Sequence, residues 1–260
     1  MIPQTIHYCW FSNEEMPPLI KRCIQSWKKF MPNYNIKLWD AHSFDFSSVP
    51  FVKEAYEAKK WAFVTDYVRL YALYTEGGIY LDSDVRVLKS LEEFRKYSFF
   101  TAQEFIKKDF EQTSYKTVDD EGNRLVEKVP GLGIQAAIMG AEKGCPFLKD
   151  CLDYYQTIHF DAARASDYII VHIMARIMEQ YGYKYVLSQQ NLSHNMVVMP
   201  PYIFSGMQTL TDKTFAIHLC NGGWTKGSLS FKYKMRNNYP ILYSILQKMI
   251  YSLQGKKFKG

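Results

Sequence analysis

The sequence predicts an α/β fold: one Rossmann-like domain in which helices flank a mostly parallel central sheet. Three observations carry this reading. Short apolar runs of strand length alternate with helix-length amphipathic stretches along most of the chain. The first forty residues read as a β-α-β unit. An almost wholly apolar helix over 62–76 ends at Gly77-Gly78 and leads straight into a strand.

Taken in order, Ile2–Cys9 reads as a short buried strand. Pro17-Pro18 opens a helix over Leu19–Met31, whose apolar residues at 20, 23, 24, 27 and 30 keep helical spacing. Asn35–Trp39 reads as the second strand. Ala55–Glu76 reads as one or two helices, closed by Gly77-Gly78 as a left-handed C-cap. Gly78–Leu81 is a strand, and Asp82-Ser83-Asp84 stands at its C-terminal end. Ser98–Ala102 is a further strand, the charged stretch 106–131 a hairpin or mobile loop, and Gln135–Met139 a strand. Helices are predicted over Pro146–Ile158 and Asp167–Gln180, and short strands over Val197–Met199 and Phe215–Leu219. In sheets of this kind ligands sit beyond the carboxyl ends of the strands, which is where Asp82 and Asp84 fall.

With 260 residues the chain suits one large domain, and 47% hydrophobic residues exclude a disordered chain. The five cysteines, at 9, 23, 145, 151 and 220, form no C-x-x-C pair, so reduced thiols fit better than a disulfide framework. No leader or membrane-spanning run is read, so the expectation is a cytoplasmic protein, peripheral to the inner face of the plasma membrane at most. The net charge of +6 is uneven: Lys226–Gly260 holds eight Lys/Arg and no acid. The division expected is a catalytic domain over 1–225 and a basic, amphipathic helical tail over 226–260. Pro240–Leu253 carries a helical apolar stripe followed by GKKFKG. Such an end either lies on an anionic membrane surface or docks on the core with a solvated Lys cluster. No nucleic-acid motif accompanies it, so no nucleic-acid partner is expected.

Asp82-Ser83-Asp84 is the centre of the chemistry. Two carboxylates one residue apart at a strand end can converge on one hard cation, Mn²⁺ or Mg²⁺, which keeps positions open for phosphate oxygens. The same triplet can also merely cap a turn. Asp66 and Arg69 share one face of the apolar helix. They either tie that helix to its neighbours as an internal ion pair or serve the acidic site, Arg69 by ordering it and Asp66 by binding sugar hydroxyls.

The run AFVTDYVRLYALYTEGGIYLDSDV, residues 62–85, resembles the signature of the glycosyltransferase family with a D-x-D sugar-binding region (family 32 type). That family includes yeast α-1,6-mannosyltransferases, vertebrate α-1,4-galactosyltransferases and bacterial capsular polysaccharide enzymes. The pattern is Ser-Asp, Arg three residues on, Gly-Gly, a strand and D-x-D; Thr65 stands here where Ser is usual. The opening IPQTIHYCWF is similar to the family's first strand. The resemblance implies a GT-A fold and a retaining transfer from a nucleotide-sugar donor to a glycan or lipid-linked acceptor, with a UDP-sugar favoured. It implies Asp66 and Arg69 as donor-sugar contacts, with Asp84 completing the catalytic set. Asp82 and Asp84 become ligands to ribose, metal and pyrophosphate, and Ser83 lies between them in the nucleotide-sugar site. Trp10 matches a nucleobase-stacking position, though a tryptophan after a strand can equally be core.

Ala216-Ile217-His218 and Gly222-Gly223-Trp224 resemble the family's late His and Ser-Trp segment. On that likeness His218 is a third metal ligand or a pyrophosphate contact, and Trp224 closes over the donor. Gly223 stands where relatives have Ser. Gly131–Gly140 resembles the segment that places an amide near the donor, which makes Gln135 a candidate; an ordinary core glutamine is the competing reading. Histidines 7, 42, 159, 172 and 194 are read as structural. Two other functions remain open on the residues alone: a metal-dependent phosphohydrolase acting on a sugar nucleotide, and a catalytically silent carbohydrate or membrane adaptor.

Overall fold

The computed structural model describes residues 1–12, 14–206, 208–220, 242, 243, 245 and 246. Trp224, the Gly222-Gly223 pair, the 225/226 boundary and nearly all of the basic tail lie outside the described residues. The four described positions near the C-terminus are helical, and Leu242, Ile245 and Leu246 among them are exposed. Among the described residues no helix is long and apolar enough to cross a membrane.

The elements run β1 (Thr5–Cys9), α1 (Pro18–Phe30), β2 (Asn35–Trp39), α2 (Pro50–Glu57), α3 (Trp61–Glu76), β3 (Gly78–Leu81), β4 (Val85–Val87) and β5 (Phe99–Phe105). Then come α4 (Lys107–Thr117), β6 (Leu132–Ile134), β7 (Ile138–Ala141), α5 (Pro146–Gln156), α6 (Ile170–Met178), β8 (Gln190–Leu192), β9 (Met196–Met199), β10 (Phe204–Ser205) and β11 (Ala216–His218). The main sheet has the order β2-β1-β3-β7-β5-β9-β8, and β6 pairs with β5 off this path. β1, β2, β3, β5 and β9 point one way; β7 and β8 point the other. The sheet is thus mostly parallel, as predicted. A second sheet, β10-β11-β4, packs beside it.

Two apolar cores lie on the two faces. One gathers α2, α3, α5 and α6 around Phe51, Val68, Leu73, Phe147 and Met174. The other joins Ile6, Trp27, Ile79, Phe100 and Phe204 to Val85, Val87 and Ala216 of the small sheet. α3 owes its burial to its sequence: Val64, Val68, Leu70, Ala72 and Leu73 are all fully buried, leaving no polar face to solvate. Trp27 of α1 donates from Nε1 to Val85 O at 2.8 Å and so ties α1 to the small sheet.

The junction of α3 and β3 is crowded. Gly77 has the positive φ expected of a cap (70°), but its ψ of −176° is extended, so the chain turns directly into β3 instead of closing a left-handed cap. Gly78 (φ 113°) faces Thr5, and a Cβ there would stand 2.6 Å from Thr5 O. His7 is fully buried below it: Nε2 donates to Gly77 O (2.8 Å) and Nδ1 accepts from Trp39 Nε1 (3.1 Å). Burial lowers its pKa and keeps the ring neutral, as that bonding requires.

Two expectations are corrected. Residues 107–117 of the presumed hairpin or loop form α4; its one buried residue is Thr117, so no apolar stripe marked it in the sequence. Only the end of the stretch is hairpin-like, with a bridge between Val118 and Arg124. Of the presumed strand Gln135–Met139, Ile138 and Met139 do open β7, but residues 135–137 are a break between β6 and β7. Both pair antiparallel with β5, but Gln103 faces Ile134 while Phe99 faces Ala141, so three extra residues bulge out at 135–137. Replacing Gly78 with alanine should cost about 2 kcal/mol or more from backbone strain and contact with Thr5. Urea unfolding should show a lower midpoint with an unchanged slope.

Candidate active site

The bulge, the end of β3 and the buried face of α3 meet at the carboxyl edge of the main sheet. α3 runs back against β3, so its first turns lie at that edge. Asp82 N donates to Ala137 O at 2.9 Å, and Val85 N donates to Asp82 O at 2.8 Å. The chain therefore leaves the main sheet at Asp82, turns through Ser83 and Asp84, and enters the small sheet at Val85. β11 pairs antiparallel with β4, setting His218 opposite Val85. His218 is thereby brought to Asp82 and Asp84, more than a hundred residues earlier in the sequence.

His218 Nε2 lies 3.3 Å from Asp84 Oδ1 and 3.9 Å from Asp82 Oδ2. One ligand atom from each of Asp82, Asp84 and His218 lies within 4.8 Å of the others. Desolvation pulls the His218 pKa down, but the Asp84 carboxylate overrides it and holds the ring well above its ordinary value. Cys220, exposed, has its Sγ 3.5 Å from His218 Nδ1. Two carboxylates and one imidazole suit an oxygen-preferring divalent ion that tolerates nitrogen, a donor set that fits Mn²⁺ well and Mg²⁺ less closely.

Behind the triad stands Arg69, 6% exposed. Nη2 pairs with Asp66 Oδ1 at 3.0 Å. Nη1 reaches Asp82 Oδ2 at 3.3 Å and Ala136 O in the bulge at 2.8 Å. Nε donates to Thr65 O at 3.3 Å, and the guanidinium lies 5.0 Å from the Tyr80 ring centre. Desolvation opposes its charge, but Asp82, Tyr80 and Asp66 together keep it firmly ionised. Tyr80 OH donates to the other oxygen of Asp82 at 2.8 Å. Burial pushes the Asp66 carboxyl up to about 7, Arg69 pulling against the shift and Asp82 adding to it. The two sequence readings of Asp66 and Arg69 meet here: the pair does tie α3 to its neighbours, and through Asp82 it also fixes the acidic turn.

Trp10 follows β1, one residue past a strand that runs parallel to β3, and so lies on the same edge. Its backbone N donates to Trp39 O at 2.9 Å and its indole Nε1 to Glu14 O at 3.0 Å. Ser83 is partly exposed in the turn. Gln135 is 2% exposed in the bulge, and its Nε2 donates to Phe204 O at 3.0 Å. Its side chain lies beside Glu104 near the end of β5. Tyr80 and Glu104 escaped the sequence reading. Tyr80 sits two residues before Asp82, on the same side of β3; Glu104 is an acid near the carboxyl end of a strand, the position that had drawn attention to Asp82.

Residues 17–101 match the family model described as a glycosyltransferase sugar-binding region containing a DXD motif. By this match the segment is similar to DXD-type glycosyltransferase regions. It takes in Asp66, Arg69, Asp82 and Asp84, while Gln135 and His218 lie beyond it. An uncharacterised protein of Arabidopsis thaliana is 31% identical over 170 residues, 63% of this chain and 21% of the relative. The chain thus spans about a fifth of that relative's length. Among solved structures, the chain is similar to the PaToxG glycosyltransferase (TM-score 0.47, 14% identity, 69% of each chain). It is similar too to a glycosyltransferase involved in glycosylation of the major capsid of PBCV-1 (TM-score 0.43, 13% identity, 91% of this chain and 98% of that one). A third likeness is to the galactosyltransferase LgtC in complex with donor and acceptor sugar analogs (TM-score 0.42, 14% identity, 93% and 95%).

Arg69→Ala strips the partner from Asp66 and Asp82 and should destabilise the fold by about 3–5 kcal/mol in denaturant titrations. A protonated His218 cannot hold a metal, and its raised pKa makes protons competitive near neutrality. Mn²⁺ affinity should therefore rise with pH, with proton release from His218. Calorimetry in buffers of different ionisation enthalpy reads that proton, and His218→Ala should abolish the pH dependence.

Proposed function

We propose that this chain is a metal-dependent, retaining glycosyltransferase of the GT-A type. It moves a sugar from a nucleotide-sugar donor, a UDP-sugar in this reading, onto a glycan or lipid-linked acceptor. The observation that carries the reading is the convergence of Asp82, Asp84 and His218 at the carboxyl edge of the sheet, backed by the Asp66–Arg69 pair.

In this reading Asp82, Asp84 and His218 hold a divalent ion. When bound, Mn²⁺ or Mg²⁺ supplies Lewis-acid neutralisation to a departing diphosphate. Arg69 and Tyr80 fix the rotamer of Asp82 from behind, so the site is organised before substrate arrives. Asp66, buried beside Arg69, is suited to accept hydrogen bonds from sugar hydroxyls. Trp10 at the neighbouring strand end is suited to stack on the base, and Ser83 and Gln135 complete the donor side. Trp224, outside the described residues, closes over the donor. Retention proceeds by same-face attack, with electrostatic stabilisation of the leaving group as the main catalytic contribution.

The further reading is of a 1–225 catalytic domain with a 226–260 tail, cytoplasmic and peripheral to the membrane, acting in capsular or surface polysaccharide synthesis. The basic charge of the tail supports contact with an anionic surface.

The test is nucleotide release from UDP-glucose, UDP-galactose, UDP-N-acetylglucosamine and GDP-mannose, with Mn²⁺ or with chelator. One donor should turn over, and chelation should stop it. Asp84→Ala should lower the rate by about 100-fold or more with little change in melting temperature. Near-normal turnover in Asp84→Ala would sink the metal assignment. Release of nucleotide that no sugar acceptor ever captures would favour the phosphohydrolase, and no turnover at all the adaptor.

A further inference from the structure

Glu104 is a carboxylate at the site that the donor side does not use. The registers of β3 with β7 and of β7 with β5 set Ile138 opposite Leu81 and Gly140 opposite Phe100. Continued along β5, they bring Ala102 level with Leu81. Glu104 therefore stands two residues beyond that level, as Ser83 does, on the same edge of the sheet. Two strand spacings, about 10 Å, separate β3 from β5.

Strand alternation puts Glu104 on the face of Phe100 and Ala102. That face packs against Val85 and Ala216, members of the two strands that frame His218. Glu104 is partly buried. Burial raises its pKa; His218 and the neighbouring Gln135 amide oppose the shift, and Asp82 adds to it. Among the described residues no Lys or Arg makes an ion pair with it. It is also no member of the group formed by Asp82, Asp84 and His218. The adjoining Gln135 adds an independent sign of a missing ligand: its Oε1 is buried with no hydrogen-bond partner, while its Nε2 is anchored on Phe204 O. A buried amide oxygen and a half-buried carboxylate, side by side, present acceptors to an incoming hydroxyl group.

We propose that Glu104 forms the acceptor subsite: its carboxylate accepts a hydrogen bond from the attacking sugar hydroxyl, and Gln135, between it and the donor side, holds that carboxylate in place. This rests on the glycosyl-transfer reading above. The triad holds the diphosphate end of the donor at β3, and the sugar to be transferred extends from it. A second sugar must then approach from a wall one ring away, and Glu104 on β5 stands on that wall. Orienting a hydroxyl requires an acceptor group at fixed distance, which a strand residue backed by a buried amide provides.

The experiment uses the full chain with Mn²⁺, the donor that turns over, and methyl glycosides of glucose, galactose, mannose and N-acetylglucosamine as acceptors. Transfer to the glycoside and donor hydrolysis by water are measured together for the wild type, Glu104→Gln and Glu104→Ala, with melting temperatures as the control for folding. The ratio of transfer to hydrolysis should fall about 10-fold or more in Glu104→Ala, with a raised KM for the acceptor. Glu104→Gln, whose amide oxygen still accepts, should recover part of the ratio. An unchanged ratio in Glu104→Ala overturns the subsite, as does a loss confined to the donor KM. A wild type that releases nucleotide while no glycoside is modified or alters the rate also overturns it. A wild type that releases no nucleotide from any donor overturns the glycosyl-transfer reading itself, and this proposal with it.

Discussion

Arg69 carries its charge inside the protein, and four acceptors from three segments of the chain answer it. Thr65 O and Asp66 lie on its own helix, Asp82 at the end of β3, and Ala136 O in the bulge between β6 and β7. A buried guanidinium without such partners would be prohibitively costly. Its burial therefore requires the helix, the strand end and the bulge to meet in one arrangement. The acidic turn is placed as a consequence: Asp82 is gripped by Arg69 on one oxygen and by Tyr80 on the other. Little rotamer freedom remains for a ligand to remove on binding.

The bulge does two jobs in the same three residues. Its peptide groups find partners that a regular strand would have supplied. Gln135 N donates to Ala102 O, Gln135 O accepts from Thr101 Oγ1, Ala136 O accepts from Arg69, and Ala137 O accepts from Asp82 N. By stepping out of register it also turns the Gln135 side chain toward Phe204 and Glu104. The donor-side carboxylates on β3 and the carboxylate on β5 are thus linked through one irregular segment, a common use of bulges beside active sites.

The small sheet gives the site its third side. The turn at Ser83 carries the chain from one sheet to the other, and β11 returns more than a hundred residues later to set His218 against Asp84. Trp27 anchors this sheet to α1 through Val85 O, and the apolar contacts of Val85, Val87 and Ala216 fuse it to the main core. The histidine's position is therefore as rigid as the core beneath it.

Much of this was legible in the chain itself. The apolar α3, its Gly-Gly end, the strand that follows and the acid pair beyond it are local features written in consecutive residues, as are β1, β2, α5 and most of α6. Asp66 and Arg69 stood out because charge is rare on a buried helix. Helix α4 was not legible, because a one-turn grip through Phe110 on Phe105 gives no apolar period. β4, β8 and β10 were too short to register, and the bulge was hidden because an offset of three residues in β5 pairing leaves no mark in composition.

The sequence by itself determined which residues are paired with which local geometry: the acids at a strand end, the salt pair one helical turn apart, the glycine pair that ends the helix. Only the tertiary structure decided which distant groups complete the site. The nearness of His218 to Asp84, of Ala136 O to Arg69 and of Glu104 to Gln135 follows from strand order and register. Those are set by long-range burial of apolar faces, and no short window of sequence contains them.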